Sequence, residues 1–245
     1  MKQIKSLHII ITAMILTLCT AFPALAEFGP GAEAEASAVY NEAKADKLSD
    51  PIEEKLSRTM TSQLTDQIIL VNDHNLTLWN KQSDGSWIKD MDVYCGYGRN
   101  GFKPFNERKE GDETTPVGSF PILHSFGFGA NPGTAMTWRE ITENSYWSGE
   151  KSSYNTWVES TTPVGGEHLS EYTICYKYAM AIGFNINPTV YKRGSAIFLH
   201  CKNPAEWGSA GCVSVTEDNM LTLLKKCHDR CYIMIVPNED YILNF

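Results

Sequence analysis

Short apolar runs broken by turn residues dominate this chain from residue 67 onward. Gln67-Ile68-Ile69-Leu70-Val71 reads as a strand, Asn72-Asp73-His74-Asn75 as a turn, and Leu76-Thr77-Leu78-Trp79-Asn80 as the returning strand. Ser83-Asp84-Gly85-Ser86 turns the chain into a third strand, Trp87 to Tyr94. Cys95-Gly96-Tyr97-Gly98 closes it, and a polar loop runs to Asp112. Thr115-Pro116-Val117-Gly118 reads as a turn before the strand Ser119-Phe120-Pro121-Ile122-Leu123. Residues 125–170 then form a long insertion rich in Gly, Ser, Thr and aromatics, with Trp138, Tyr146, Trp147, Tyr154 and Trp157. A loop of that length is either functional or a packed surface flap.

Strands return at Tyr178-Ala179-Met180-Ala181-Ile182 and from Ala196 to His200. Ser214-Val215-Thr216-Glu217 offers a capping pattern for a helix reaching about Lys226. Met220, Leu223, Leu224 and Cys227 recur on its inner face at helical spacing. Tyr232 to Val236 is a last strand. The pattern predicts a mainly β, sandwich-like domain with one or two helices.

The first part of the chain has another texture. Lys2 and Lys5 precede a mostly apolar stretch from Leu7 to Ala21, and Ala24-Leu25-Ala26 has the form of a cleavage site. This predicts a secretory signal over 1–26, export to the cell envelope or beyond, and a mature chain beginning at Glu27. An uncleaved membrane anchor is the alternative. Residues 27–64 are rich in Ala, Glu, Lys and Ser and read as a helical or flexible arm; Asp50-Pro51-Ile52-Glu53 is a helix start. The expected division is signal 1–26, arm 27–64, main domain 65–238 and C-terminal tail 239–245.

Hydrophobic residues make up 42% of the 245 and charged ones 20%, enough for an ordinary core. The formal net charge is -8, and losing Lys2 and Lys5 takes it to -10. That argues against nucleic acid or an anionic membrane surface as partner. Of seven cysteines, Cys19 leaves with the signal. The remaining six are too few for a disulfide scaffold, although an exported chain can pair some of them.

The densest chemistry lies in Trp207-Gly208-Ser209-Ala210-Gly211-Cys212, after a strand ending in His200. A cysteine in a small-residue turn with a histidine at a strand end is a common way to present a thiol nucleophile. A third group should orient the ring: a carbonyl near Cys201, or Ser209, Glu206 or Glu217. The same residues also read as a buried structural cysteine and a satisfied core histidine. His200, Cys201, Cys212, Cys227, His228 and Cys231 are metal-ligand types close in sequence, but no paired C-x-x-C knuckle exists and Cys227 sits on an apolar helix face, so no metal is expected.

Residues 197–215 resemble the L,D-transpeptidase catalytic domain, in which a strand-end His precedes a Ser/Thr-His-Gly-Cys turn and an apolar residue. Here His200, Ser209, Gly211, Cys212 and Val213 stand in that order. The Thr115–Gly118 segment and the hairpin at 67–80 match as well, so the resemblance covers roughly 65–238. It implies Cys212 as nucleophile, His200 as base, amides of Gly211 and Cys212 as oxyanion hole, and the Cys201 carbonyl as the group holding the ring. Ala210 departs from the family, which has a second histidine there; arginine is absent after the turn, and the loop from His200 to Cys212 is shorter. The implied partners are peptidoglycan stem peptides, with carbapenem-type β-lactams as inhibitors and no cofactor. Cys212 would attack an L-to-D peptide junction and form a thioester, resolved by an amine (transpeptidase) or by water (L,D-carboxypeptidase). A catalytically silent wall-binding module is the reading from another class. Trp207 would wall the pocket, and Lys202 and Arg193 would meet a stem carboxylate.

Overall fold

Apolar runs free of turn residues become the centre of one large sheet. The computed structural model describes residues 51–245 except Trp207. The signal segment, the arm up to residue 50 and Trp207 lie outside the described residues. The strands are β1 (Gln67–Asn72), β2 (Asn75–Lys81), β3 (Trp87–Tyr94), β4 (Phe102–Pro104), β5 (Thr115–Gly127), β6 (Trp138–Glu140), β10 (Tyr178–Ile182), β11 (Phe198–Cys201), β12 (Val213–Val215) and β13 (Tyr232–Val236). Eight of them run in the order β12-β11-β10-β5-β13-β1-β2-β3, with β4 and β6 also paired to β5. The insertion supplies β7 (Ser145–Ser148), β8 (Thr156–Glu159) and β9 (Gly166–His168), a separate three-stranded sheet. Helices α1 (Pro51–Ser57), α2 (Thr61–Leu64) and α3 (Glu217–Lys226), with four short 3-10 helices, complete the regular structure of the described residues. Among the described residues no helix is long and apolar enough to cross a membrane.

Both faces of the sheet are buried, which is why its central strands are apolar throughout instead of alternating. Met180, Ile182 and Leu199 point into the main core with Met220, Leu223 and Leu224 of α3. Their neighbours Ala179, Ala181 and Phe198 point the other way, into a second cluster with Phe126, Trp147, Leu169, Tyr176 and Cys212. That cluster is roofed by the insertion. A third cluster seats Leu56 of α1 and Ile242 against Ile68, Leu70, Trp79 and Met234. Residues 51–57 and the last residues of the chain therefore pack on the sheet itself.

Three local expectations change. Thr115–Gly118 is the start of β5, not a turn. Proline's fixed φ suits an extended chain at a strand start, and Thr115 N–H bonds Gly101 O at 2.8 Å. The 125–170 segment is not loop throughout: β5 extends to Gly127 and four short strands follow. The cap of α3 is Thr216, whose side chain accepts from Asn219 N–H, while Ser214 and Val215 belong to β12.

Candidate active site

The turn before Cys212 is fixed by its own small residues. Gly211 has φ +137, and a Cβ there would stand 2.8 Å from Thr114 O, so only glycine fits. Ser209 Oγ accepts from Gly211 N–H at 3.0 Å and donates to Cys212 O at 2.6 Å. Thr115 Oγ1 donates to Gly211 O at 2.9 Å and accepts from Gly98 N–H at 2.8 Å. This buried relay accounts for the threonine at the head of β5. Ser209 N–H and O bond Tyr97 O and Arg99 N–H, each at 3.0 Å, so the turn is stitched to the strand-like segment beside it.

Strands β11 and β12 lie side by side and parallel, with His200 opposite Ser214. The connection through 202–212 therefore brings Cys212, just ahead of β12, and His200 to one cleft of about 380 Å³. His200 Nδ1 lies 2.8 Å from Cys201 O. A carbonyl only accepts, so in the neutral ring Nδ1 carries the proton and Nε2 keeps its lone pair. Burial lowers the pKa of His200, which favours that neutral ring. The Tyr176 ring meets it edge-on at 5.7 Å.

Cys212 is 8% exposed and belongs to the apolar cluster under the insertion. Its Sγ donates to Ala196 O at 3.3 Å and accepts from Phe198 N–H at 3.3 Å. No hydrogen bond joins Sγ to His200 among the described residues. Burial pushes the thiol well above its ordinary pKa, and the nearby Glu167 adds to this; Phe198 N–H and Arg108 pull the other way. The resting pair is thus neutral thiol and neutral imidazole. Ala196, which receives the thiol, holds φ +55. Asn155 locks it there, taking Ala196 N–H at 3.1 Å and Trp147 Nε1–H at 2.9 Å on Oδ1. Asn155 Nδ2 donates to Phe184 O and Asn185 O. One buried amide therefore ties the insertion to the segments around Phe184 and Ala196, next to Cys212.

The insertion forms one wall of the cleft through Trp147, Gly149, Gly166 and Glu167. Burial raises the Glu167 carboxyl to about 7, and Tyr176 Oη donates to it at 2.5 Å. Arg108 also borders the cleft, at 2% exposure.

Of the residues singled out from sequence, Cys212, His200 and Ser209 border one cleft, and Cys201 supplies the carbonyl at His200 Nδ1. Gly211 shapes the turn, but its amide is already given to Ser209 Oγ. Ala210 faces the cleft and is exposed. Lys202 borders a small recess of about 20 Å³ that shares His200, and its Nζ lies over the Tyr94 ring at 5.5 Å. Arg193 is not among the cleft residues; its Nη1 donates to the carbonyls of Asn106 at 2.8 Å and Arg108 at 3.2 Å. Sequence reading missed Arg108, Glu167, Tyr176 and Asn155. Isolated Arg, Glu and Asn residues carry no spacing signal, and only the aromatic richness of the insertion hinted at a cleft wall. Among the described residues no three His, Cys, Asp or Glu side chains converge as a metal site.

The YkuD family, the L,D-transpeptidase catalytic domain, matches residues 66–235. A comparison with curated proteins gives no match. Among solved structures, the helical cell shape determining protein Pgp2 from Campylobacter jejuni is 16% identical with a TM-score of 0.41, covering 76% of this chain and 58% of its own. L,D-transpeptidase 1 of Mycobacterium tuberculosis is 14% identical with a TM-score of 0.34, covering 69% and 61%. A cysteine-to-serine mutant of the Enterococcus faecium L,D-transpeptidase is 15% identical with a TM-score of 0.35, covering 71% and 50%. This chain thus spans between half and about three fifths of those proteins.

Proposed function

Because this chain belongs to the L,D-transpeptidase catalytic-domain family, we propose that it is an exported cysteine transpeptidase joining peptidoglycan stem peptides. The observation that carries the reading is the shared cleft: Cys212 and a histidine whose Nδ1 is pinned by Cys201 O, leaving Nε2 as acceptor, border the same space.

The reaction starts from the neutral pair. Sγ turns from Ala196 O, its proton passes to His200 Nε2, and the sulfur attacks the carbonyl carbon of the L-to-D peptide bond. The C–S bond forms and the carbonyl oxygen becomes an oxyanion. The Cys212 amide is its donor from the turn, since Gly211 N–H is committed to Ser209. The intermediate collapses, the C–N bond breaks, and His200 gives its proton to the departing D-Ala amine. The thioester then accepts the amine of a neighbouring stem, whose proton returns through His200 to sulfur. Water in place of that amine makes the protein an L,D-carboxypeptidase.

Incubation with tetrapeptide muropeptides, read by mass spectrometry, should give cross-linked dimers and free D-Ala, and neither with Cys212→Ala. Turnover that survives Cys212→Ala would remove the thiol from the mechanism. A carbapenem should add once, on Cys212, because its strained carbonyl meets the same thiol. For export, the secreted or envelope protein should begin at Glu27; full-length protein retaining Met1 in the cytosol would overturn that part. The silent wall-binding module remains the second reading, favoured by Ala210 in the family's histidine position and by the strongly raised thiol. Alkylation separates the two: a working site has one thiol that reacts faster in the presence of His200 than in His200→Ala.

A further inference from the structure

Of the buried side-chain polar atoms without a hydrogen-bond partner among the described residues, Arg108 Nη1 is the one whose residue borders the Cys212 cleft. The guanidinium is held over the Phe184 ring at 5.0 Å. Its Nε donates to Thr114 Oγ1 at 3.3 Å, and Nη2 reaches Asp112 Oδ1 only at 3.5 Å. Asp112 cannot turn further toward it. Its carboxylate already accepts from Lys109 N–H at 2.9 Å, Thr114 N–H at 3.0 Å and Thr114 Oγ1 at 2.7 Å, with Lys103 Nζ at 3.5 Å. A buried donor left unmade is costly, so an unsatisfied guanidinium nitrogen on a residue that borders a cleft points to a ligand.

The neighbouring backbone packs close to the guanidinium, and Nη1 itself is buried. A Cβ on Gly194 would come 3.4 Å from Nη1, and one on Gly211 would come 3.3 Å from Nη2. Both positions are glycine with φ in the left-handed range, and Gly211 adjoins the nucleophile. The other charges of the cleft are committed elsewhere. Arg99 pairs with Glu113 and Glu206, Glu110 pairs with Lys192, and Glu167 holds Tyr176. A planar guanidinium with a spare edge matches a carboxylate better than any other peptide group.

We propose that Arg108 binds a free carboxylate of the donor peptide within one residue of the carbonyl that Cys212 attacks. The proposal rests on reading the cleft as a stem-peptide site. The two residues joined by the attacked bond carry two such groups: the C-terminal carboxylate, and the side-chain carboxylate of the third residue where that residue is a diamino diacid. Either would fix the register of the peptide against Cys212. Arg108 is thus a specificity residue, and its part in peptide binding is separate from the effect of its charge on Cys212.

Binding to the full chain carrying Cys212→Ala tests this without requiring turnover. Three peptides are compared by titration calorimetry: the stem tetrapeptide, its C-terminal amide, and the form amidated on the third residue. The acid form should bind about 10- to 100-fold tighter than one of the two amides, the worth of a charge-assisted hydrogen bond. The amide that weakens binding identifies the carboxylate. Arg108→Gln in the same background should abolish the preference, so that acid and amide bind equally. Arg108→Lys, which keeps the charge but not the fork, should shrink it; thermal melts establish that each variant is folded. A preference that survives either substitution at full size, or no preference in the parent, overturns the proposal. Absence of binding by all three peptides also overturns it, and with it the stem-peptide reading. Binding with the expected preference, but no muropeptide turnover by the unmutated protein, leaves the carboxylate site standing and removes only the transpeptidase.

Discussion

Replacing Glu167 by glutamine removes a charge from the cleft while keeping its shape and an acceptor for Tyr176. The Glu167 carboxyl titrates at about 7 instead of 4.5 because burial disfavours its anion, and the hydrogen bond from Tyr176 offsets only part of that. Between these two values the folded protein holds a proton that the unfolded chain has released. Stability therefore falls as pH rises from about 4.5 to about 7 and is level with respect to this group above that. At roughly 1.4 kcal/mol per pH step the gap corresponds to about 3 kcal/mol, and partial solvent contact at the cleft wall trims it to about 2–3 kcal/mol. Glu167→Gln should melt with the wild type near pH 4 and roughly 4–12 °C above it at pH 8, given ~2–4 °C per kcal/mol for a domain of this size. Circular dichroism melts across that range read the difference directly. A difference that does not grow with pH, or a variant that melts lower at pH 8, would refute the burial argument. The same substitution removes a negative charge acting on Cys212, so thiol alkylation at pH 8 should be faster in the variant.

His200→Ala should slow acylation by roughly 10²–10⁴-fold, the worth of a positioned base, and its effect should not add to that of Cys212→Ala because both serve one step; stopped-flow acylation by a carbapenem measures the His200 effect. Gly211→Ala should lose acylation and stability together, since its Cβ would stand 2.8 Å from Thr114 O at φ +137; a variant with wild-type melting would contradict the turn geometry. Asn155→Ala strips hydrogen-bond partners from Ala196, Trp147 and two carbonyls, and should cost at least about 2 kcal/mol in denaturant melts. Ala210→His adds a polar side chain at an exposed cleft position. If that position limits the thiol, alkylation of Cys212 should accelerate; an unchanged rate assigns the limit to burial alone.

Much of the fold was legible because many strands of the large sheet lie between strong turn signals: 67–71, 76–80, 87–94, 178–182 and 232–236 all reappear within a residue or two. The helix after the Cys turn was legible from Met220, Leu223 and Leu224, all buried. The 115–118 stretch misled because Thr-Pro-x-Gly has turn composition, whereas its backbone pairs with β4 and β13 and its threonine props the Cys turn. The insertion misled because its strands are three or four residues long, too short for period-two alternation to register. At the site, the Cys212 and His200 positions carried a motif. Arg108, Glu167 and Asn155 did not, because their importance comes from burial, and burial of a polar residue is a tertiary property that no local pattern records.

The location of Cys212 in the apolar cluster under the insertion has a chemical consequence for the proposed reaction. A thiol stabilised as thiolate by a standing ion pair reacts with any electrophile that reaches it. Here both partners are buried and neutral at rest, and the sulfur is held by Ala196 O and Phe198 N–H. Ionisation then has to coincide with attack, with the proton moving to His200 as the C–S bond forms. The charge that develops in that step moves from sulfur to the carbonyl oxygen, toward the turn amide and within the field of Arg108, whose positive charge already favours an anion at Cys212. Glu167, on the insertion side, opposes an anion at the same place, and does so only when it is itself ionised. Two residues of the cleft lining thus act on Cys212 with opposite sign, and the one that the insertion brings is the one whose charge changes near neutral pH.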